Sequence, residues 1–254
     1  MPSNAIKIRG IVLNKTKLAE QDLIFTLLAQ DGQQYRAVGK GARKPGNTFS
    51  TRVEVFSELD FMLAKGRNLD IIREVKLHES HEALRENFDI NPFAYCGVEL
   101  MTKITEPGNL NENFFPLLSN YLDELEKVPT KHLAKIFFAS FLTKALIFTG
   151  VYPRVDSCVV CGRDFDSTNF AMTGVAHMST EKGGYVCENC NTGKGIHEVS
   201  LEHFDFSDKI VFTEFKNLDN IPNYDDSIID SYTNIMYKWL QYHFSTSLKS
   251  FKFL

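Results

Sequence analysis

The chain has 254 residues, 43% of them apolar and 12% aromatic, with 28 Lys and Arg against 32 Asp and Glu. Such a composition excludes a disordered chain and is enough to bury a sizeable core in one large domain or two smaller ones. No apolar run reaches the ~18 residues of a membrane span, since IFFASFLTKALIF (136–148) is broken by Lys144.

The opening MPSNAIKIRG has no cationic segment leading into an apolar core. No secretory signal is therefore expected, and a cytoplasmic, reducing location follows. Strands are predicted at IKIRGIVLNKT (6–16), LIFTLLA (23–29) and QYRAVG (34–39), with DGQ (31–33) as a hairpin turn. In VEVFSELDFML (53–63), Val53, Val55, Leu59, Phe61 and Leu63 alternate with Glu54, Glu58 and Asp60, the period of a half-buried strand. LDIIREVKL (69–77) repeats the pattern after a KGRN turn (65–68). Five strands in 80 residues, with one apolar face, are best satisfied by closing into an OB-type barrel.

Beyond residue 80 the period becomes helical. NPFAYCGVELMTKIT (91–105) carries a stripe that includes Cys96, whose expected role is packing. NENFFPLLSNYLDELEKV (111–128) follows, with Pro116 in or near a first turn. TKHLAKIFFASFLTKALIFTG (130–150) has Thr130 as an N-cap candidate and Gly150 as a stop. A last helix is predicted from about Asp225 through Phe244. The expected fold is thus α+β: an OB-fold barrel at 1–80 and a helical domain at 81–254, interrupted at about 154–197.

The interruption contains CVVCG (158–162) and CENCN (187–191). Cys158, Cys161, Cys187 and Cys190 offer four thiolates at the spacing of a tetrahedral zinc site, and four thiolates saturate the ion. The zinc expected here is structural, with no open position for catalysis. Gly162 and Asn191 tolerate the left-handed backbone of a knuckle turn. His177 and His197 are alternative ligands that a surface role explains as well.

The stretch GKGARKPGNTF (39–49) resembles a phosphate-binding loop, but its glycines run from strand to strand rather than into a helix, so nucleotide hydrolysis is not expected. Residues 1–80 hold 13 Lys and Arg against 9 Asp and Glu, whereas the remainder holds 15 against 23. Between Asp31 and Glu54 there is no acidic residue and five basic ones: Arg36, Lys40, Arg43, Lys44 and Arg52. Lys65 and Arg67 occupy the next turn. If the strands at 34–40 and 53–63 are neighbours, these cations form one stripe suited to a nucleic-acid backbone, with Tyr35, Phe49 and Phe56 available for base stacking. The competing reading is a solvated basic face.

These parts, in this order, resemble the RecO family of bacterial recombination mediator and DNA-repair proteins. The resemblance rests on GKGARK, VEVFSELDFML, the turn at Gly66, Arg67 and Leu69, the TG-x-YP segment (149–153), the two Cys-x-x-Cys pairs and the C-terminal LKSFKFL (248–254). It implies an OB-fold followed by a helical domain with a zinc-finger-like element. It also implies binding of single- and double-stranded DNA, annealing of complementary strands, and cooperation with RecR to load RecA onto DNA coated by single-strand binding protein, with RecF as a further candidate partner. The implied place is the cytoplasm, in association with the nucleoid. The family's basic barrel surface falls here on Arg36, Lys40, Arg43, Lys44, Arg52, Lys65 and Arg67. Some members bind single-strand binding protein on the helical domain, for which Lys131, Lys135 and Lys144 are the candidates.

No catalytic residues are expected, because annealing makes and breaks no covalent bond. Two-metal carboxylates, Gly-x-Ser-x-Gly and His-Glu-x-x-His are all absent. The alternatives are a zinc-stabilised protein-interaction scaffold and a zinc-containing nucleic-acid-processing enzyme. The second lacks the H-x-E partner and the proline before Cys187 that a zinc deaminase requires.

Overall fold

The computed structural model describes residues 5–44, 52–165, 176–191 and 196–254. The chain packs as two compact units, residues 1–134 with 248–254, and residues 135–247.

The first unit is built on a closed five-stranded barrel of order β1-β2-β3-β5-β4. Its strands are β1 (Ala5–Lys17), β2 (Leu23–Ala29), β3 (Gln34–Gly39), β4 (Glu58–Ala64) and β5 (Asp70–Glu79). All pairings are antiparallel except β3 with β5, and that parallel step closes the barrel. Closure removes the unpaired edges that a five-stranded sheet would otherwise expose. The long β1 pairs with β4 through its first half and with β2 through its second, bending at a register shift between Val12 and Asn14. Phe25, Leu27, Leu59, Phe61 and Leu63 fill the interior with at most 1% exposure.

The alternation predicted from Val53 holds only from Leu59 onward. Phe56 adopts φ 78, a left-handed conformation that breaks the ladder, and β4 starts two residues later. Val53 still reaches the core, but from the preceding turn. Glu58, expected on the wet face, is buried, ion-paired to Arg9 and hydrogen-bonded by Ser119 Oγ at 2.9 Å.

Helices α1 (Glu82–Glu86), α2 (Asn91–Ile104) and α3 (Phe114–Leu125) pack in the same unit. Pro116 lies in the first turn of α3, where its missing N–H costs no helical bond. Gln34 on β3 ties the barrel to the end of α2, donating from Nε2 to the carbonyl oxygens of Thr102 (3.3 Å) and Thr105 (3.4 Å). His81, buried before α1, places Nδ1 2.9 Å from Oε2 of Glu126, the residue that caps the end of α3. Glu79, His81 and Glu126 bring their polar atoms together there, and this arrangement fastens the exit of β5 to α3.

Helix α4 (Lys131–Phe148) continues into the second unit. Thr130 caps it as expected, its Oγ1 accepting the Leu133 N–H at 3.3 Å, and Gly150 ends it at φ +75. The second unit then holds a three-stranded sheet, β6 (Ala176–Ser179), β7 (Gly184–Cys187) and β8 (Ile196–Val199), in the order β7-β6-β8. Helices α5 (Leu201–Phe212) and α6 (Asp226–Phe244) follow. Tyr232 of α6 centres the packing, with its hydroxyl 3.0 Å from Thr143 Oγ1 and 3.2 Å from Ser207 Oγ. Trp239 Nε1 donates to the Val151 carbonyl at 2.5 Å.

Candidate nucleic-acid interface and metal centre

The two Cys-x-x-Cys pairs meet. One is on the turn after α4 and the other runs from the end of β7 into the turn Glu188–Cys190. Their four sulfurs lie within 4.8 Å of one another, and Cys161 Sγ is 3.8 Å from Cys187 Sγ. A tetrahedron with Zn–S bonds of roughly 2.3 Å has edges of about 3.8 Å, so the sulfurs stand where one metal ion would bind them all. Cys158 and Cys187 are buried, Cys161 is exposed and Cys190 half-buried. Burial by itself would raise the Cys158 thiol. Hydrogen bonds from the amides of Cys187, Cys161 and Val160 outweigh it and bring the pKa down to about 6. Burial raises the Cys187 thiol, and hydrogen bonding with Cys187 pushes Cys190 up to about 12, so a metal ion would have to displace protons from those two.

Local backbone explains the first knuckle. Gly162 takes φ +72 and donates its N–H to the Cys158 carbonyl at 2.8 Å, a turn that a side chain would strain. Asn191 does not repeat it: its φ is −72, in extended backbone, because the second pair is wound as a 3-10 turn. Neither His177, on β6, nor His197, on β8, belongs to the group. Cys96 is buried in α2, and burial pushes its thiol up to about 12, as expected of a packing cysteine.

The predicted basic residues all lie on the barrel and all are exposed. Arg36 is on β3, Lys40, Arg43 and Lys44 follow it, Arg52 precedes the Phe56 turn, and Lys65 and Arg67 lie between β4 and β5. Strand β3 is not paired with β4, contrary to the condition under which one stripe was expected: its neighbours are β2 and β5. The link between the two basic segments runs instead through β5. Ala37 pairs with Asp70 and Val38 with Ile71, so the turn carrying Lys65 and Arg67 leads into the strand beside Arg36. Two residues beyond this pairing lie Lys40 and Arg73, both exposed. Arg73 was overlooked in the sequence. The alternation of LDIIREVKL puts it on the face of Leu69, Ile71, Val75 and Leu77. The register shift of β5 against β4 at Met62 and Leu63 leaves it exposed instead, and nothing local reveals that shift or the parallel pairing.

Among the described residues, Arg36, Lys40, Lys44, Arg52 and Arg67 form no ion pair, whereas Lys65 approaches Asp70 at 4.0 Å. Arg43 is held against the β1–β2 turn, its backbone N–H donating to the Gln21 carbonyl (2.9 Å) and Nη1 to that of Glu20 (3.0 Å). Gly41 N–H donates to Asp22 Oδ1 at 2.7 Å, fixing the start of the loop. Of the three candidate stacking residues, Phe56 is fully buried against Tyr95 and unavailable. Tyr35 is half-buried and donates its hydroxyl to Asp31 at 3.2 Å. Phe49 lies outside the described residues.

The helical lysines differ among themselves. Lys131 is exposed. Lys135 bridges Asp226 (2.7 Å) and Asp230 (2.8 Å) of α6. Lys144 donates to the Thr213 carbonyl at 2.5 Å and lies 4.6 Å from the centre of the Phe215 ring, and burial lowers its pKa to about 8. Among the described residues no helix is long and apolar enough to cross a membrane.

Residues 1–81 match the family model described as Recombination protein O N terminal, and residues 85–251 match Recombination protein O C terminal. A DNA repair protein RecO of Bifidobacterium longum (strain DJO10A) is 32% identical over 201 residues, 77% of this chain and 79% of its own. Those of Thermoanaerobacter sp. (strain X514) and Alkaliphilus metalliredigens are 27% and 28% identical, covering 84% and 78% of this chain and 84% and 75% of theirs. The chain therefore belongs to the recombination protein O family, with a role in DNA repair and recombination.

Proposed function

We propose that the protein is a DNA-binding recombination mediator that binds single- and double-stranded DNA through its barrel and anneals complementary strands. The observation that carries this reading is the set of exposed cations on β3, on the loop after it and on the turn into β5, most of them without an acidic partner among the described residues. Residues 1–80 are the nucleic-acid-binding domain, with Arg36, Lys40, Arg43, Lys44, Arg52, Lys65 and Arg67 meeting phosphates and Arg73 extending the set. Residues 81–254 form the helical domain with its metal-stabilised insert.

Annealing then follows from charge neutralisation. Two DNA strands repel each other, and cations that displace condensed counterions lower that barrier until base pairing takes over. No bond is made or broken, so no catalytic group is required. Zinc is the ion whose chemistry fits four thiolates. Bound by Cys158, Cys161, Cys187 and Cys190, it would fix the two knuckles and leave no position open to substrate. With RecR, the protein helps to load RecA onto DNA coated by single-strand binding protein in the cytoplasm. RecF is a further candidate partner. Because Lys135 and Lys144 are engaged within the fold, an acidic partner approaching α4 would meet Lys131 first.

Exchanging both Arg43 and Lys44 for Glu tests the reading. Weaker binding to all oligonucleotide sequences alike, with slower annealing, is the expected outcome. Unchanged affinity would remove the loop from the interface. Loss of binding to an acidic protein, without any effect on DNA, would favour the scaffold reading.

A further inference from the structure

The C-terminal LKSFKFL returns to the first unit and forms one wall of a cleft of about 710 Å³, within the roughly 300–1,000 Å³ of ligand pockets. Leu13 of β1 and Tyr95 and Lys103 of α2 line it as well. Lys249, Lys252 and Phe253 complete the mouth. Tyr95 is 39% exposed and Phe253 62% exposed, so both aromatic side chains are open to a ligand in the cleft. The Lys252 ammonium stands 4.8 Å from the centre of the Phe253 ring.

With three lysines against one glutamate, the cleft is net positive. Lys103, Lys249 and Lys252 are exposed and form no ion pair with a described residue. Glu99, which also lines the cleft, is already saturated. It accepts the N–H of Lys249 at 2.8 Å, the N–H of Ser250 at 2.9 Å and the Ser250 hydroxyl. Its carboxylate holds the tail in place and keeps its charge beside Lys103, leaving the three lysines in excess.

We infer that this cleft is a second single-stranded DNA contact, in which a base stacks on Phe253 and Tyr95 while flanking phosphates meet Lys103, Lys249 and Lys252. Exposed aromatic faces set among unpaired lysines are the components with which proteins hold single strands irrespective of sequence. The inference rests on the DNA-binding reading proposed above.

The test uses the full-length protein, a labelled oligothymidine and three proteins: wild type, Phe253→Ala, and the double variant Lys249→Gln/Lys252→Gln. Phe253 is exposed, so its truncation leaves the core intact. Phe253→Ala is expected to weaken binding about five- to hundredfold. The lysine variant is expected to flatten the slope of log affinity against log salt by about 1.4. An oligonucleotide carrying 5-iodouracil should crosslink to the peptide bearing Tyr95 or Phe253. Wild-type affinity and slope in both variants, with binding still lost in Arg43→Glu/Lys44→Glu, would overturn the cleft and leave the barrel reading standing. No binding by the wild type would overturn both. An acidic peptide with an apolar end that occupies the cleft while DNA binding is undisturbed would also overturn it, assigning the cleft to a protein ligand.

Discussion

Cys161 Sγ lies 3.8 Å from Cys187 Sγ, although 26 residues separate them in the chain. Such an approach of thiols without a disulfide, beside two further cysteines, is the arrangement one tetrahedral ion imposes. The purified protein is expected to carry about one zinc ion per chain. Cys187→Ser should remove most of it and lower the thermal midpoint, as should a strong chelator. Elemental analysis with thermal melts checks this, and a metal-free wild type of unchanged midpoint would refute it.

Gly32 provides a backbone test. Its φ is +79, and a Cβ there would stand 1.7 Å from the Asn111 carbonyl oxygen. Gly32→Ala should cost about 3 kcal/mol or more, combining strain with a backbone clash. Gly108, at φ +82 with no atom within 4 Å of the added Cβ, is the control. Gly108→Ala should cost about 1–2 kcal/mol. Denaturant unfolding measures both, and equal losses would contradict the close approach.

Glu99 governs the seating of the C-terminal segment. Burial acts to raise its pKa, but the hydrogen bonds from Ser250 and Lys249 prevail and hold it below the usual glutamate value. A carboxylate with a depressed folded pKa contributes stability at neutral pH and loses it as pH falls through that pKa. Glu99→Gln should therefore be less stable than wild type by about 1 kcal/mol at pH 7, after allowance for solvent screening. That gap should begin to narrow as pH falls below the unfolded value of about 4.3 and close once pH has passed through the lower folded pKa. Paired melts across pH provide the check.

Lys144 behaves in the opposite sense. Burial lowers its pKa to about 8, partly countered by Glu214. Between that value and the unfolded value of about 10.4 the unfolded chain binds more protons, so stability rises with pH across this window. Below pH 8 the penalty is complete and constant. Lys144→Met should abolish this rise, which the difference between the two thermal-midpoint profiles from pH 7 to 10 would reveal.

Much of this was legible locally. The segment 69–77 is a strand as expected, but a register shift against β4 buries Ile72 and leaves Leu77 40% exposed, so its faces differ from the local alternation. The Thr130 and Gly150 signals correspond to the ends of α4, because terminal capping is a property of neighbouring residues. The four cysteines were legible from spacing for the same reason. Helix α5 was not. Its N-terminus is closed by His203, whose Nδ1 accepts the Ser200 N–H at 3.1 Å, where a Glu or Gln would have announced a capping box. The φ of Phe56 and the β3–β5 pairing were equally hidden, because both depend on how distant strands close the barrel. That closure also decides which cations share a surface, so Arg73 and the cleft beneath LKSFKFL emerge only in three dimensions.

The central claim is that the barrel cations hold phosphate, and the most direct measurement is the affinity of the full-length protein for a single-stranded oligonucleotide across a salt series. With four to six of the cations engaged, log affinity should fall against log salt with a slope of roughly −3 to −4. A slope near zero, or no binding at low salt, would contradict the account.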